Sequence, residues 1–263
     1  MKPNLLSILD VAVEAALEAG RITLEYFQTS SLVVYTKSDQ SPVTIADRAA
    51  ESRIIEIVRD HFPSHSIIGE ESGESVGSEP YQWIIDPIDG TKSFINGVPL
   101  YGVMIGVAID GVPSVGVVHF PALGDMHTAA RGHGSHWNGR PAKVSDRSSL
   151  DEARLLTTSP KSYGPDPRKA RIYAELERRS SLARGWGDCY GHMLVATGRA
   201  DIMLDPKMSL WDCAALLPII EEAGGRFTDW NGDARIDGGD AISTNAALHA
   251  VVMDVVRSSG ANI

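Results

Sequence analysis

Hydrophobic positions near the N-terminus recur at three- and four-residue steps: Leu5, Ile8, Leu9, Ala12, Ala16, Ala19, Ile22 and Tyr26. That period predicts an amphipathic helix over 5–28. A short strand and a polar loop follow over 29–42. A second helix is expected over 44–60, with Ile54, Ile55 and Val58 on its apolar side. "SIIGEES" (66–72) reads as a brief strand ending on two glutamates, and "ESVGSEP" (74–80) as a flexible loop. From 83 the texture changes to β. "WIID", "GVMIGVAID", "PSVGVVHF" and "DMHTAAR" are apolar or alternating runs cut by Gly- and Pro-containing turns, which predicts an antiparallel meander. After about 150, strands at "ARLLTTS", "ADIMLDP", "RFTDW" and "AISTN" alternate with helices over 165–179, "DCYGHMLVATG", "LWDCAALLPIIEEAGG" and 246–257. The third of these reads as one helix closed by its Gly-Gly pair. A helix pair, then an antiparallel sheet, then mixed α and β predicts stacked layers.

Length and composition narrow this picture. The chain has 263 residues, which points to one compact unit of two halves, 1–150 and 151–263. Hydrophobic content of 43% and charged content of 22% describe a soluble protein with a sizeable core. The net charge is −10 and no run of lysines or arginines occurs, which argues against a nucleic-acid surface. Cys189 and Cys213 sit in apolar mid-chain segments and read as buried thiols in a reducing cytosol. The first helix carries Asp10 and Glu14, unlike a signal peptide, and no apolar run approaches the length of a membrane span.

Four acidic motifs stand where an apolar element meets a loop. In "WIIDPIDGTKSF" (83–94) an apolar strand delivers Asp86 to a sheet end, Pro87 opposes further pairing, and Asp89 follows one turn later. Gly90 permits an unusual backbone, and a helix opened by Thr91 would offer free amides to a phosphate. Carboxylates beside such a turn repel a phosphate unless cations lie between, and hard oxygen ligands point to Mg²⁺. The competing reading is an Asx-turn with a helix cap. Glu70 and Glu71 in "GEES" are either a solvated loop start or a cation site. Asp212 in "LWDCAALL" is either a dipole-favoured first-turn acid or a further ligand. Asp47 in "SPVTIADRAAE" has capping-box spacing from Thr44, or orients a water or hydroxyl. Together the motifs supply the oxygen count of a two- or three-metal site that would activate water and stabilise a leaving alkoxide.

"GEES", "WIIDPIDGTKSF" and "LWDCAALLPIIEEAGG", with the terminal "STNAALH", resemble the inositol monophosphatase superfamily of metal-dependent, lithium-sensitive phosphatases across almost the whole chain. The resemblance implies a layered αβαβα sandwich, commonly a homodimer, that takes a small phosphorylated substrate. It implies that Glu70, Asp86 and the carbonyl of Ile88 hold one Mg²⁺, that Asp86, Asp89 and Asp212 hold a second, and that Glu70 reaches a third through water. Thr91, backed by Asp47, would orient and deprotonate the attacking water, and the Gly90 and Thr91 amides would take the phosphate. "RGWGDCYGHMLVATGRADIMLDP" (184–206) is similar to the histidinol-phosphate phosphatase branch, where the inositol enzymes have a small uncharged residue at the position of Asp188. Histidinol phosphate carries an ammonium and an imidazole, so Asp188 and Asp205 are candidate partners for its cationic end. Arg184 would assist the phosphate or fix Asp188. An inositol-1-phosphate or broad sugar-phosphate phosphatase, a silent metal-binding regulator and, less favoured for want of a basic patch, a nucleotide bisphosphate phosphatase are the alternatives.

Other residues are open to two readings. His127, His133 and His136 admit a zinc site, but their spacing matches no fixed ligand pattern. His192 is expected to pack rather than react. Trp186 is expected to form a wall that could face the imidazole, and Trp211 to lie in the core. Lys37 and Asp39 fall in the 36–42 loop, which the family uses as a mobile flap.

Overall fold

The computed structural model describes residues 4–30, 32–37, 42–164 and 166–258. Asn4 caps α1 (Leu5–Tyr26) by accepting from the Ser7 amide, and the helix buries Ile8, Ala12, Ala16 and Ala19 at the predicted spacing. The strands β1 (Val34–Thr36) and β2 (Pro42–Thr44) pair antiparallel. Asp39 and the centre of the expected flap lie outside the described residues. Thr44 and Asp47 form the capping box that opens α2 (Ile45–His61).

The first sheet has eight strands. They are β3 (Ser66–Gly69), β4 (Gly73–Ser75), β5 (Tyr81–Asp89), β6 (Gly102–Ile109), β7 (Val112–Phe120), β8 (Asp125–Ala130), β9 (Ser135–Trp137) and β10 (Arg140–Pro141), with α3 (Thr91–Ile95) between β5 and β6. Their spatial order is β10-β9-β8-β7-β6-β5-β3-β4, and β3 runs parallel to β5 while the other pairs are antiparallel. The segment expected to be loop from 74 begins instead as β4, which pairs Ser75 with Ile67 at the sheet edge. Its polar sequence carries no apolar alternation because all three of its residues are exposed.

The second sheet is mixed: β11 (Arg154–Thr157), β12 (Leu182–Arg184), β13 (Ile202–Asp205), β14 (Gly225–Thr228) and β15 (Ala241–Asn245), in the order β12-β11-β13-β15-β14. The remaining helices are α4 (Pro167–Arg179), α5 (Asp188–Ala196), α6 (Leu210–Ala214), α7 (Leu216–Glu222) and α8 (Ala246–Ser258).

Side-chain alternation sorts these elements into an αβαβα sandwich. On β6, Val103, Ile105 and Val107 face α1 and α2, whereas Met104 faces the centre. There Met193, Leu216, Ile219 and Ile220 of α5 and α7 fill the space between the sheets, against Val118 on one side and Leu156, Met203 and Phe227 on the other. Ile172, Leu176, Leu248 and Val252 of α4 and α8 cover the far face of the second sheet. The expected single helix over 210–225 is broken at Ala215. Pro218 has no amide for the Ala214 carbonyl and its ring crowds that oxygen. The break lies on a flat spot made by the paired residues Gly106 and Gly116, where a Cβ would come within 2.5 Å of Ala214 and 2.2 Å of the Ala215 carbonyl. The central helices therefore sit close to the first sheet, and α6 brings Asp212 to the end of β5.

Candidate active site

The β5 ladder does not stop at Asp86. It resumes at Asp89 after an irregularity, so the step from Asp86 to Asp89 faces the shorter step from Met104 to Gly102. Pro87 cannot donate to the ladder, and a bulge absorbs the extra residue and re-aims the flanking side chains. Within the bulge the Ile88 amide donates to Asp86 Oδ1 at 3.0 Å. Gly90 then takes φ +79°, and Thr91 starts α3.

Three carboxylates converge here. One oxygen from each of Asp86, Asp89 and Asp212 lies within 4.8 Å of the others. Each acid also spends an oxygen on a backbone amide: Cys189 donates to Asp89 Oδ2 at 2.5 Å, and Ser209 donates to Asp212 Oδ2 at 2.7 Å in a capping box. The Asx-turn reading of 83–94 thus coexists with the cluster, and Asp212 is a first-turn acid as well, whereas α3 has Gly90 at its N-cap and no side-chain cap. Burial first, then the charges of Glu70, Asp89 and Asp212, push the Asp86 carboxyl well above the usual range. Burial and then Asp188 and Asp212 do the same for Asp89. Burial raises Asp212 to about 7 against the opposing Ser209 hydrogen bond, with Glu70 and Asp205 adding to the rise. Three crowded carboxylates lose charge or take up a cation, and an all-oxygen donor set fits a hard dication such as Mg²⁺.

Glu70 lines the same cleft, and its amide is tied to the Ile85 carbonyl at 3.1 Å. Lys37 reaches Glu70 Oε1 at 2.7 Å and also pairs with Glu71. Burial pulls the Lys37 ammonium down, but its contacts with the two glutamates outweigh that and raise it. A buried residue that sequence reasoning missed, Glu51, holds the turn after Glu70. Its two oxygens accept from the Glu71 and Ser72 amides at 2.9 and 2.7 Å. The sequence signal was a second acid, four residues after Asp47, on the mostly apolar side of α2.

Asp47 Oδ2 accepts from the amide and hydroxyl of Thr44, both at 2.7 Å, while Thr91 Oγ1 donates to the Ile88 carbonyl at 3.2 Å. The expected Thr91–Asp47 pairing is therefore replaced by these three local bonds. Burial raises Asp47 to about 6.

The cleft has a volume of about 730 Å³. It shares Thr158, Ser162, Asp188, Lys207 and Asp212 with a smaller chamber of about 90 Å³ that reaches Asp205. Asp188 opens α5 with φ +53°, a left-handed conformation that aspartate tolerates better than most residues, and its amide donates to Thr158 Oγ1 at 2.8 Å. The Thr158 amide in turn donates to Asp205 Oδ1 at 3.3 Å. Burial, then the charge of Asp205, raises Asp188 to about 6, with Lys92 acting in the opposite direction. Arg184 does not reach Asp188. It is exposed at the end of the edge strand β12, and its guanidinium donates to the Ala183 carbonyl. Besides Lys37 on Glu70, the cations lining the cleft among the described residues are Lys92, Lys161 and Lys207, from three separate segments that no sequence cluster announced.

The remaining expectations divide. His192 is packed, as expected. Trp211 is only half-buried, against the small cluster around Ile84 and Ala108. Trp186 is 45% exposed, and its neighbours Gly185 and Gly187 line the cleft instead. The three histidines of the β8–β9 hairpin do not form a metal site among the described residues. His127 stacks on its cross-strand partner Trp137, whereas His136 pairs with Thr128 one residue along and so faces the opposite side.

The sequence profile of the inositol monophosphatase family matches residues 4–260. The chain belongs to this family. Its members are metal-dependent, which agrees with the acid cluster. The chain is 47% identical to a histidinol-phosphatase of Chlorobaculum parvum over 91% of its own length and 93% of the relative's. It is 40% identical to a histidinol-phosphatase of Mycobacterium tuberculosis, covering 93% and 96%. The crystal structure of extragenic suppressor protein SuhB from Bartonella henselae superimposes with a TM-score of 0.89 at 29% identity, over 98% of this chain and all of that one. This inositol monophosphatase family protein is a phosphatase with the layered fold of its relatives.

Proposed function

We propose that this phosphatase hydrolyses L-histidinol phosphate to L-histidinol and inorganic phosphate in the cytoplasm, using two or three Mg²⁺ ions and acting as a homodimer. Glu70, Asp86 and the Ile88 carbonyl would hold one ion, and Asp86, Asp89 and Asp212 a second. Bound Mg²⁺ supplies an acidified water and neutralises the charge of the phosphoryl oxygens. The Gly90 and Thr91 amides receive the phosphate. Thr91 orients the water, and Asp47, raised to about 6 by burial, acts behind it as the base once it exchanges its Thr44 hydroxyl bond for one from Thr91. The water oxygen bonds to phosphorus, the ester P–O bond breaks, and the alcohol leaves with a proton.

The observation that carries the substrate reading is a second pair of acids beyond the cluster, Asp188 and Asp205, both tied to Thr158 at one cleft. A polyol hydroxyl can donate to such carboxylates, but an ammonium or an imidazolium also neutralises their charge, which favours a cationic substrate. Relatives that are histidinol-phosphatases support the same reading. The test is phosphate release from histidinol phosphate, inositol-1-phosphate and adenosine 3′,5′-bisphosphate, with and without EDTA. A kcat/KM for histidinol phosphate at or below that for inositol-1-phosphate contradicts the substrate, and turnover unchanged by EDTA contradicts the metal.

One observation favours a second reading. Lys92, Lys161 and Lys207 line the cleft and would suit a broad sugar-phosphate substrate with additional oxygens or a second phosphate. In that case the panel shows inositol-1-phosphate or the bisphosphate preferred.

A further inference from the structure

Asp205 is almost fully buried, and the second anchor of its carboxylate is a residue that does not line the cleft. Its Oδ2 meets His192 Nε2 at 3.3 Å, and His192 Nδ1 lies 2.7 Å from the Ser243 hydroxyl. His192 and Ser243 are wholly buried, on α5 and β15 respectively. With a neutral imidazole, the hydrogen-bond partners suit one tautomer. Asp205 presents a carboxylate oxygen, so Nε2 carries the hydrogen and donates. Nδ1 is then the acceptor, and the Ser243 hydroxyl donates to it. In this tautomer the imidazole is neutral and leaves Asp205 its negative charge.

We propose that His192, set by Ser243, is a positioning residue that aims the Asp205 carboxylate at the cationic end of the substrate. The assignment rests on the histidinol phosphate reading. Thr158 holds one Asp205 oxygen and His192 holds the other, so the carboxylate plane is fixed from two directions. Trp230 fixes the backbone below it, its indole donating to the Asp205 carbonyl at 3.1 Å. Sequence alone placed His192 as packing because nothing in "DCYGHMLVATG" connects it to an acid 13 residues away.

The experiment compares the wild type with His192→Phe, His192→Gln and Ser243→Ala on histidinol phosphate and on neutral inositol-1-phosphate, with circular dichroism to confirm folding. Phenylalanine fills the site without a donor, while the glutamine amide can still donate to Asp205. His192→Phe is expected to raise KM for histidinol phosphate about tenfold, the effect of one hydrogen bond to a charged group, with kcat and the inositol-1-phosphate constants shifted less than about twofold. His192→Gln restores most of the loss. Should His192→Phe fail to fold, Ser243→Ala decides: it frees Nδ1 to take the hydrogen, turns a lone pair toward Asp205, and raises the same KM. Equal losses on both substrates, or no change in Ser243→Ala, overturn the positioning role. A wild type that does not prefer histidinol phosphate overturns the substrate reading and this inference with it, which separates the two failures.

Discussion

The two groups of acids in the cleft are held differently. In the cluster, Asp86, Asp89 and Asp212 are each pinned by a backbone amide at 3.0, 2.5 and 2.7 Å, on a central strand or a capped helix. In the second pair, Asp205 has two longer contacts of 3.3 Å, one from the Thr158 amide and one from the His192 side chain, and Asp188 depends on a left-handed backbone and the Thr158 hydroxyl. Backbone anchors survive substitution of neighbouring side chains. Side-chain anchors change with single substitutions. One fold can therefore keep its phosphate chemistry while altering what it recognises, and the same division separates mutations that stop the reaction from mutations that redirect it.

The comparison breaks most visibly at Asp86. Asp86→Asn is expected to lower kcat by about 10³-fold or more on every phosphomonoester, since metal-held charge stabilisation is worth several kcal/mol. Wild-type kcat at saturating Mg²⁺ would contradict the cluster's role.

A smaller effect is expected at Glu51, which touches no other carboxylate of the cluster but holds the amides that follow Glu70. Glu51→Gln turns one acceptor into a donor facing an amide. The Mg²⁺ concentration for half-maximal thermal stabilisation should rise about tenfold, the usual consequence of removing a support behind a ligand. An unchanged Mg²⁺ titration would remove Glu51 from the site.

The smallest effect is on stability without metal. The Asp212 carboxyl is raised to about 7 in the folded protein from an ordinary value of 3.8. The folded state then binds more protons than the unfolded state between those values, so stability falls as pH rises through that window. Asp212→Asn keeps an acceptor for the Ser209 amide and removes the charge. In EDTA the variant should match the wild type near pH 4 and exceed its Tm at pH 8, by about 2–4 °C per kcal/mol recovered. An equal Tm at both pH values would show that the cluster carries no repulsion.

Much of this was legible in the sequence because local pattern and local structure agree. The 3.6-residue period of α1 and the Thr44–Asp47 box emerge as read, as does the alternation from β5 to β8. The acids Glu70, Asp86, Asp89 and Asp212 were visible because each breaks an apolar run at its end. What stayed hidden depends on contacts distant in sequence. The Glu51 clamp crosses 20 residues, and the Cys189 amide reaches Asp89 across 100. The β5 bulge was missed because Pro87 reads as a strand end, whereas the neighbouring ladder re-engages at Gly102. Arg184 looked like a partner for Asp188 from its proximity in sequence, but the edge strand points it to solvent and Lys92, from α3, exerts the opposing charge.

The most direct test of the division between chemistry and recognition is the kcat/KM ratio of histidinol phosphate to inositol-1-phosphate in Asp188→Ala against the wild type. Removing the partner of a buried charge costs at least about 2 kcal/mol, so the ratio should fall about 30-fold, carried by histidinol phosphate alone. A ratio equal to that of the wild type, with both substrates slowed together, would contradict the account.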